Sequence, residues 1–186
     1  NGHKIIADIG HIGPDYQPGH AHADTLSCEL SLFGERVFVN SGVSHYSVDA
    51  KRLSQRSTSA HNTVEVDGMN SSQIWAGFRV AKRATTIDVS VQNRNDCAVL
   101  RAGHDGYKKS YRKALHFRKW TVQKTKLQIK DSLQGSYDRA VAYWHLHPGV
   151  AIEPVGENKF EIRLSKGNLV RLHISGGSAY LGEGSW

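Results

Sequence analysis

The sequence predicts an all-β domain, an antiparallel β-sandwich of two sheets built from about a dozen short strands. Two observations point there. Apolar and polar residues alternate with a period of two in one short segment after another, and turn signals separate these segments at spacings of about 8 to 12 residues. No segment longer than about ten residues shows the 3.6-residue period of an amphipathic helix. With 186 residues the chain can bury a core of its own, and it reads as one domain spanning 1–186.

Residues 1–18 carry Gly10, Gly13, Pro14 and Pro18, which interrupt regular structure, so an irregular arm with one short strand at 4–9 is expected. Residues 24–33 alternate apolar and polar, Gly34 with Glu35 turns the chain, and 36–40 pairs back as a hairpin. Residues 41–62 are poor in apolar side chains. They form a polar stretch too long for an ordinary connection, with a short helix or turn around 49–55, and such length points to function. Val64 and Val66 alternate before Asp67 and Gly68, and Ile87, Val89 and Val91 alternate before the turn QNRND. Residues 97–102 precede the turn GHDGY, and 111–122 with 127–129 make a long hairpin. Residues 141–147 are apolar on both parities, as a central strand would be. Phe160, Ile162 and Leu164 alternate, as do Val170, Leu172 and Ile174, about the turn SKGN.

The 24 Lys and Arg against 17 Asp and Glu leave a formal charge of +7, which favours a polyanionic partner. Nucleic acid and acidic polysaccharide both qualify by charge. The densest basic stretches, 79–83, 112–119 and 124–126, alternate with apolar residues as the solvated faces of strands do, and no nucleic-acid-binding motif is present. No nucleic-acid partner is therefore expected. No run approaches the roughly 18 apolar residues of a membrane helix, so no membrane partner is expected either. Cys28 and Cys97 belong to no paired-cysteine metal motif and read as small apolar residues. The first residues lack the pattern of a signal peptide and start without Met, which suggests a mature product or a fragment.

The chemistry concentrates in 19–68. His20, His22 and Asp24 follow one another at every second residue, so in an extended strand they leave one face, the face continued by Leu26, Cys28, Leu30 and Leu32. Neighbours on that face lie about 6–7 Å apart, so His20 and His22 can divide roles between proton transfer and metal ligation. His22 and His61 are placed to meet from adjoining elements, and two imidazoles with a carboxyl-type group are the makings of a zinc site. Tyr46 can act as acid or base, or cap the core with its ring. Arg56 can hold a carboxylate in bidentate fashion, or hold the loop through backbone carbonyls. His145 and His147 read as packed or hydrogen-bonded, and His104 and His116 as structural or surface residues.

The blocks GHAHADTLSCELSLFGERVFVNSGVSHY, RSTSAHNTVEVDG, GHDGYKKSYRKALHFRKW, LQIKDSLQG and YWHLHPGV, in that order, resemble the heparinase II/III-like domain of bacterial polysaccharide lyases. The resemblance implies a C-terminal β-sandwich that packs against an N-terminal incomplete α/α toroid, with the substrate cleft between them. It implies β-elimination on a uronic-acid-containing acidic polysaccharide, in a periplasmic or secreted enzyme. His20 matches the sandwich histidine of that active site, His22 and His61 match two zinc ligands, and Tyr46 and Arg56 match polar positions near the cleft. Asn40 stands where an aspartate ligand is expected, a neutral group in place of an anionic one that should weaken metal binding; Asp24 offers a substitute carboxylate, although its place in the family motif implies support of the histidine loop. The toroid residues that complete catalysis are not in this chain, so the isolated sandwich is expected to be inactive or nearly so. The alternative is a non-catalytic carbohydrate-binding or domain-packing module.

Overall fold

The computed structural model describes residues 2–108 and 113–184. It is a β-sandwich. In the first layer β1 (Lys4–Ala7), β2 (Cys28–Leu32) and β3 (Glu35–Phe38) run antiparallel in the order β1-β2-β3. Leu32 pairs with Glu35, so the hairpin turns on Phe33 and Gly34, one residue earlier than the sequence suggests. Both have positive φ, 55° and 76°, the handedness that matches the twist of the flanking strands.

A polar connection follows, carrying the short helix α1 (Ala50–Gln55), whose start is fixed by Asp49: its carboxylate accepts a hydrogen bond from the Arg52 N–H. Then come β4 (Val64–Val66) and a small hairpin of β5 (Ile74–Trp75) and β6 (Arg79–Val80). The second layer is a four-stranded meander of β7 (Thr86–Arg94), β8 (Cys97–His104), β9 (Leu115–Gln123) and β10 (Leu127–Gln134). The expected strand over 111–122 is seen from Leu115 onward, and Tyr111 and Arg112 lie outside the described residues.

The central strand expected over 141–147 is not one ladder. Only β11 (Ala140–Ala142) pairs with β4. Past Tyr143, whose N–H donates to the Thr63 carbonyl, the chain changes neighbours: Val39 N–H donates to His145 O, and His147 N–H to Val37 O. The segment thus ties β4 to β3, with Tyr143 to His147 half-buried and Ala142 exposed. The chain ends in a three-stranded meander, β12 (Ala151–Gly156), β13 (Lys159–Arg163) and β14 (Leu169–His173). Pro154 conceals β12 in the sequence, and the strand tolerates it because it lies at a sheet edge.

The core follows the alternation. Leu26 and Cys28 pack on Ala102 and Trp120, joining the first layer to β8 and β9, while Leu30, Val37 and Phe38 pack on Ile162 and Leu164 of the last meander. Inside the second layer lies a buried polar chain. Gly106 N–H donates to His104 Nδ1 at 3.1 Å, which puts the His104 proton on Nε2, facing His116 Nδ1 at 3.2 Å. The His116 proton then sits on Nε2, 2.7 Å from Asp131.

Candidate active site and metal centre

Residues 20–24 belong to no ladder, contrary to the extended strand that would set His20, His22 and Asp24 on one face. Pro18 and Gly19 open a 3₁₀ turn (Pro18–His20), and the chain then runs as a loop until β2. The period-two alternation survives without the strand: Ala21 and Ala23 are buried, His22 and Asp24 are half-buried, and His20 is exposed. One local pattern therefore gives the two histidines different surroundings.

Two arginines of the polar connection hold this loop. Arg52 and Arg56, one helical turn apart, are both fully buried at 0% exposure. Arg52 donates to the carbonyls of Gly19 and Gly77, and Arg56 to those of Ala21 and Gly77. The carbonyls of Gly19 and Ala21 flank His20, so the two guanidinium groups clamp the backbone on either side of it. Arg56 thus makes the backbone contacts that were one of its two sequence readings, and its charge reaches the surface as a field. Neither arginine pairs with a carboxylate among the described residues. Burial, then the neighbouring Arg52 charge, lowers the Arg56 pKa.

His20 is set edge-on to Tyr46, ring centroids 5.8 Å apart, and the Arg52 guanidinium lies 4.7 Å from the centroid of that same Tyr46 ring. Tyr46 is 56% exposed, so it lines an open surface rather than capping the core. His45 beside it is bonded to Asp49 at 2.7 Å and to Ser44 at 3.0 Å, which fixes the loop that carries Tyr46.

Behind His20, His22 Nδ1 and His61 Nε2 approach to 3.2 Å. Each of His22, Asp24 and His61 offers a ligand atom within 4.8 Å of the others. Two ligand nitrogens about 2.05 Å from a tetrahedral zinc would be separated by about 3.3 Å, so the spacing fits. So does the chemistry. Burial, with the charges of Arg56, Arg52 and His20, lowers the His22 pKa to about 4, and burial with His22 and His145 lowers that of His61 to about 3. Both rings are thus neutral, as ligands must be. Burial and the nearby Asp8 raise the Asp24 carboxyl to about 7, a proton that a cation would displace. Asn40 Oδ1 accepts from the Gly42 N–H at 2.9 Å. The carboxylate that joins the two histidines is Asp24.

The sequence reading missed the residues that hold this centre from below. Asn62 donates through Nδ2 to the carbonyls of Cys28 and Val39 and accepts from His145 N–H at 2.6 Å, tying the His61 segment to both strands of the first hairpin. Arg118, on β9, donates to the carbonyls of Leu26 and Asn62 and grips Asp131 through Nε and Nη2. It therefore fastens the Asp24 loop to the His61 loop. A signal was present, since Arg118 shares strand parity with His116 and Trp120, a charge on an apolar face. His145 donates through Nε2–H to Ser59 O at 2.9 Å, and His147 accepts from Gly149 N–H, both hydrogen-bonded as expected.

Comparison with known proteins agrees with this architecture. The family model described as "Heparinase II/III-like, C-terminal" matches residues 1–186. No curated protein matches. Among solved structures, a mutant of the heparan sulfate lyase HepC from Pedobacter heparinus superposes with a TM-score of 0.69 at 18% identity, covering 90% of this chain and 24% of that one. The heparinase III BT4657 gene product superposes with a TM-score of 0.59 at 22% identity, covering 76% of this chain and 21% of that one. The chain thus spans about a quarter of the length of these structures, and the likeness to them is one of fold. By its match over the full length, and with a sandwich to agree with it, this chain belongs to the heparinase II/III-like C-terminal domain family.

Proposed function

We propose that this chain is the C-terminal sandwich of a lyase that cleaves a uronic-acid-containing polysaccharide by β-elimination, and that it supplies half of an active site completed by an N-terminal α/α toroid domain of a longer chain. The observation that carries the reading is the placement of His20: exposed, edge-on to Tyr46, and flanked by carbonyls that two buried guanidinium groups hold, neither of which has a carboxylate partner among the described residues. In β-elimination a base removes the proton next to the sugar carboxylate, and the anion that forms must be stabilised before the glycosidic oxygen leaves with a proton. His20 is the group placed to move a proton. The clamp by Arg52 and Arg56 fixes its backbone, and their positive field favours an anionic sugar beside it. Tyr46 can donate to the sugar or exchange a proton with it. His22, Asp24 and His61 would hold a zinc ion, which when bound supplies positive charge behind the reacting carboxylate. A periplasmic or secreted setting belongs to the same proposal.

The test uses the longer protein that carries this sandwich, on a panel of heparin-like, alginate-like and bacterial exopolysaccharide substrates. Absorbance from the unsaturated uronate should rise on at least one, and His20→Ala should abolish it while the fold is retained. No product from any substrate would sink the lyase reading. Glycan binding that persists without turnover and is unchanged by His20→Ala would favour a non-catalytic binding module. Metal content is read separately: zinc bound by the wild-type chain should be lost in His61→Ala.

A further inference from the structure

The outer face of the second layer carries a feature that the proposed active site does not use. Along β9 the residues His116, Arg118 and Trp120 are buried, so Lys119 and its same-parity neighbours point outward. Lys119 lies directly opposite Arg101 of β8 on one side and Lys130 of β10 on the other. Three cations therefore stand abreast on three adjacent strands, at steps of about 4.8 Å. Like charges directly opposite one another destabilise a sheet. Within β8, β9 and β10 the only carboxylate is Asp131, which faces inward onto Arg118, and on β7 the residue opposite Arg101 is Ser90. Among the described residues none of the three cations has an ion-pair partner. The outward positions beside them on β9 and β10 include Thr121, Gln128 and Ser132, neutral groups that hydrogen-bond hydroxyls.

We propose that this row is a binding surface for an acidic polysaccharide chain lying across the strands, with Arg101, Lys119 and Lys130 each meeting a carboxylate or sulfate and the neighbouring amide and hydroxyl groups meeting sugar hydroxyls. Charge complementarity selects a polyanion, and the hydroxyl and amide groups select a glycan. The choice of glycan also accords with the lyase reading, but the site is separate from His20 and is tested by binding alone, so that either can fail without the other.

The experiment is calorimetric titration of this chain with a heparin oligosaccharide of defined length, at several salt concentrations. The wild-type chain should bind. Arg101→Gln/Lys119→Gln/Lys130→Gln should bind at least tenfold more weakly, and the dependence of log affinity on log salt should fall by about two, as expected for the loss of three contacts that release counterions. A control that removes the same charge from the last meander, Lys159→Gln/Arg163→Gln/Lys166→Gln, should keep near-wild-type affinity. The proposal is overturned if the row variant binds as the wild type does, if the control loses as much, or if duplex DNA of equal charge binds as tightly as the oligosaccharide. Binding in the row variant is read beside its circular dichroism spectrum, and the single variant Lys119→Gln, expected to lose a fraction of the same effect, keeps the test open if the triple variant does not fold.

Discussion

Replacing Arg118 by Met isolates the tie that joins the two loops of the candidate metal centre. The side chain is 1% exposed and donates four hydrogen bonds: to Asp131 at 2.6 and 2.9 Å, to Leu26 O at 2.9 Å and to Asn62 O at 2.6 Å. Met fills much of the volume but leaves a carboxylate and two carbonyls without their donor. Breaking a buried ion pair from one side costs about 3–5 kcal/mol. The Asp131 side chain keeps 24% exposure, so water recovers part of this, whereas the two carbonyls add about 1–3 kcal/mol each if they stay dry. A net loss of about 4 kcal/mol is expected, a large share of the roughly 5–15 kcal/mol that holds a domain together. It corresponds to a fall in melting temperature of about 8–16 °C for a chain of this size. Chemical denaturation followed by tryptophan fluorescence reads it directly, because the guanidinium lies 5.1 Å from the Trp144 ring centroid and 6.0 Å from that of Trp120. Adding Asp131→Asn removes the stranded charge and keeps an acceptor for His116, so Arg118→Met/Asp131→Asn should regain about 2 kcal/mol. Zinc affinity of the single variant should drop by about tenfold or more, as for other groups that orient metal ligands. A loss under about 1 kcal/mol, or a double variant no more stable than the single, would refute the reasoning.

Acid should destabilise the fold in two stages. Burial lowers the pKa values of both His104 and His116, so below about pH 6.5 the unfolded chain takes up protons that the native chain refuses, and stability falls with pH. Asp131 is pushed up by burial, but the Arg118 charge and the hydrogen bonds from His116 and Arg118 outweigh this and hold it well below the usual carboxylate range, so its contribution is present above about pH 4 and is lost further down. The denaturant midpoint should decline steadily from pH 7 to pH 5, and a flat profile would contradict the buried histidine pair. Gly106→Ala should cost about 2–3 kcal/mol, because the added Cβ would overlap the Ser71 carbonyl oxygen and touch Ala84. Gly177→Ala, with nothing within 4 Å, serves as the control and should shift stability by less than about 0.5 kcal/mol.

Period-two alternation was enough to read the all-β class, most strand positions and the hairpin around Gly34, because burial of one sheet face writes itself into every second residue. The polar stretch 41–62 pointed to a short helix or turn around 49–55, where α1 lies. The alternation misplaced the histidines. Residues 20–24 alternate like a strand, yet only tertiary contacts decide whether extended backbone finds a ladder partner, and here the carbonyls of Gly19 and Ala21 go to Arg52 and Arg56. Residues 141–147 fail in a related way, since the segment changes partner from β4 to β3 and is nowhere fully buried, although apolar residues on both parities mimic one central strand. The family resemblance located His20, His22, His61, Tyr46 and Arg56 in the chain. What it could not contain is which nitrogen faces which, that the Asp24 carboxylate stands with His22 and His61, and that Arg118, more than 50 residues further along the chain, locks the loops together. Local periodicity is a property of neighbours in sequence, and a sequence therefore determines which residues face inward. The pairing of buried polar groups depends on distances between segments far apart in the chain, and only the packed fold sets those.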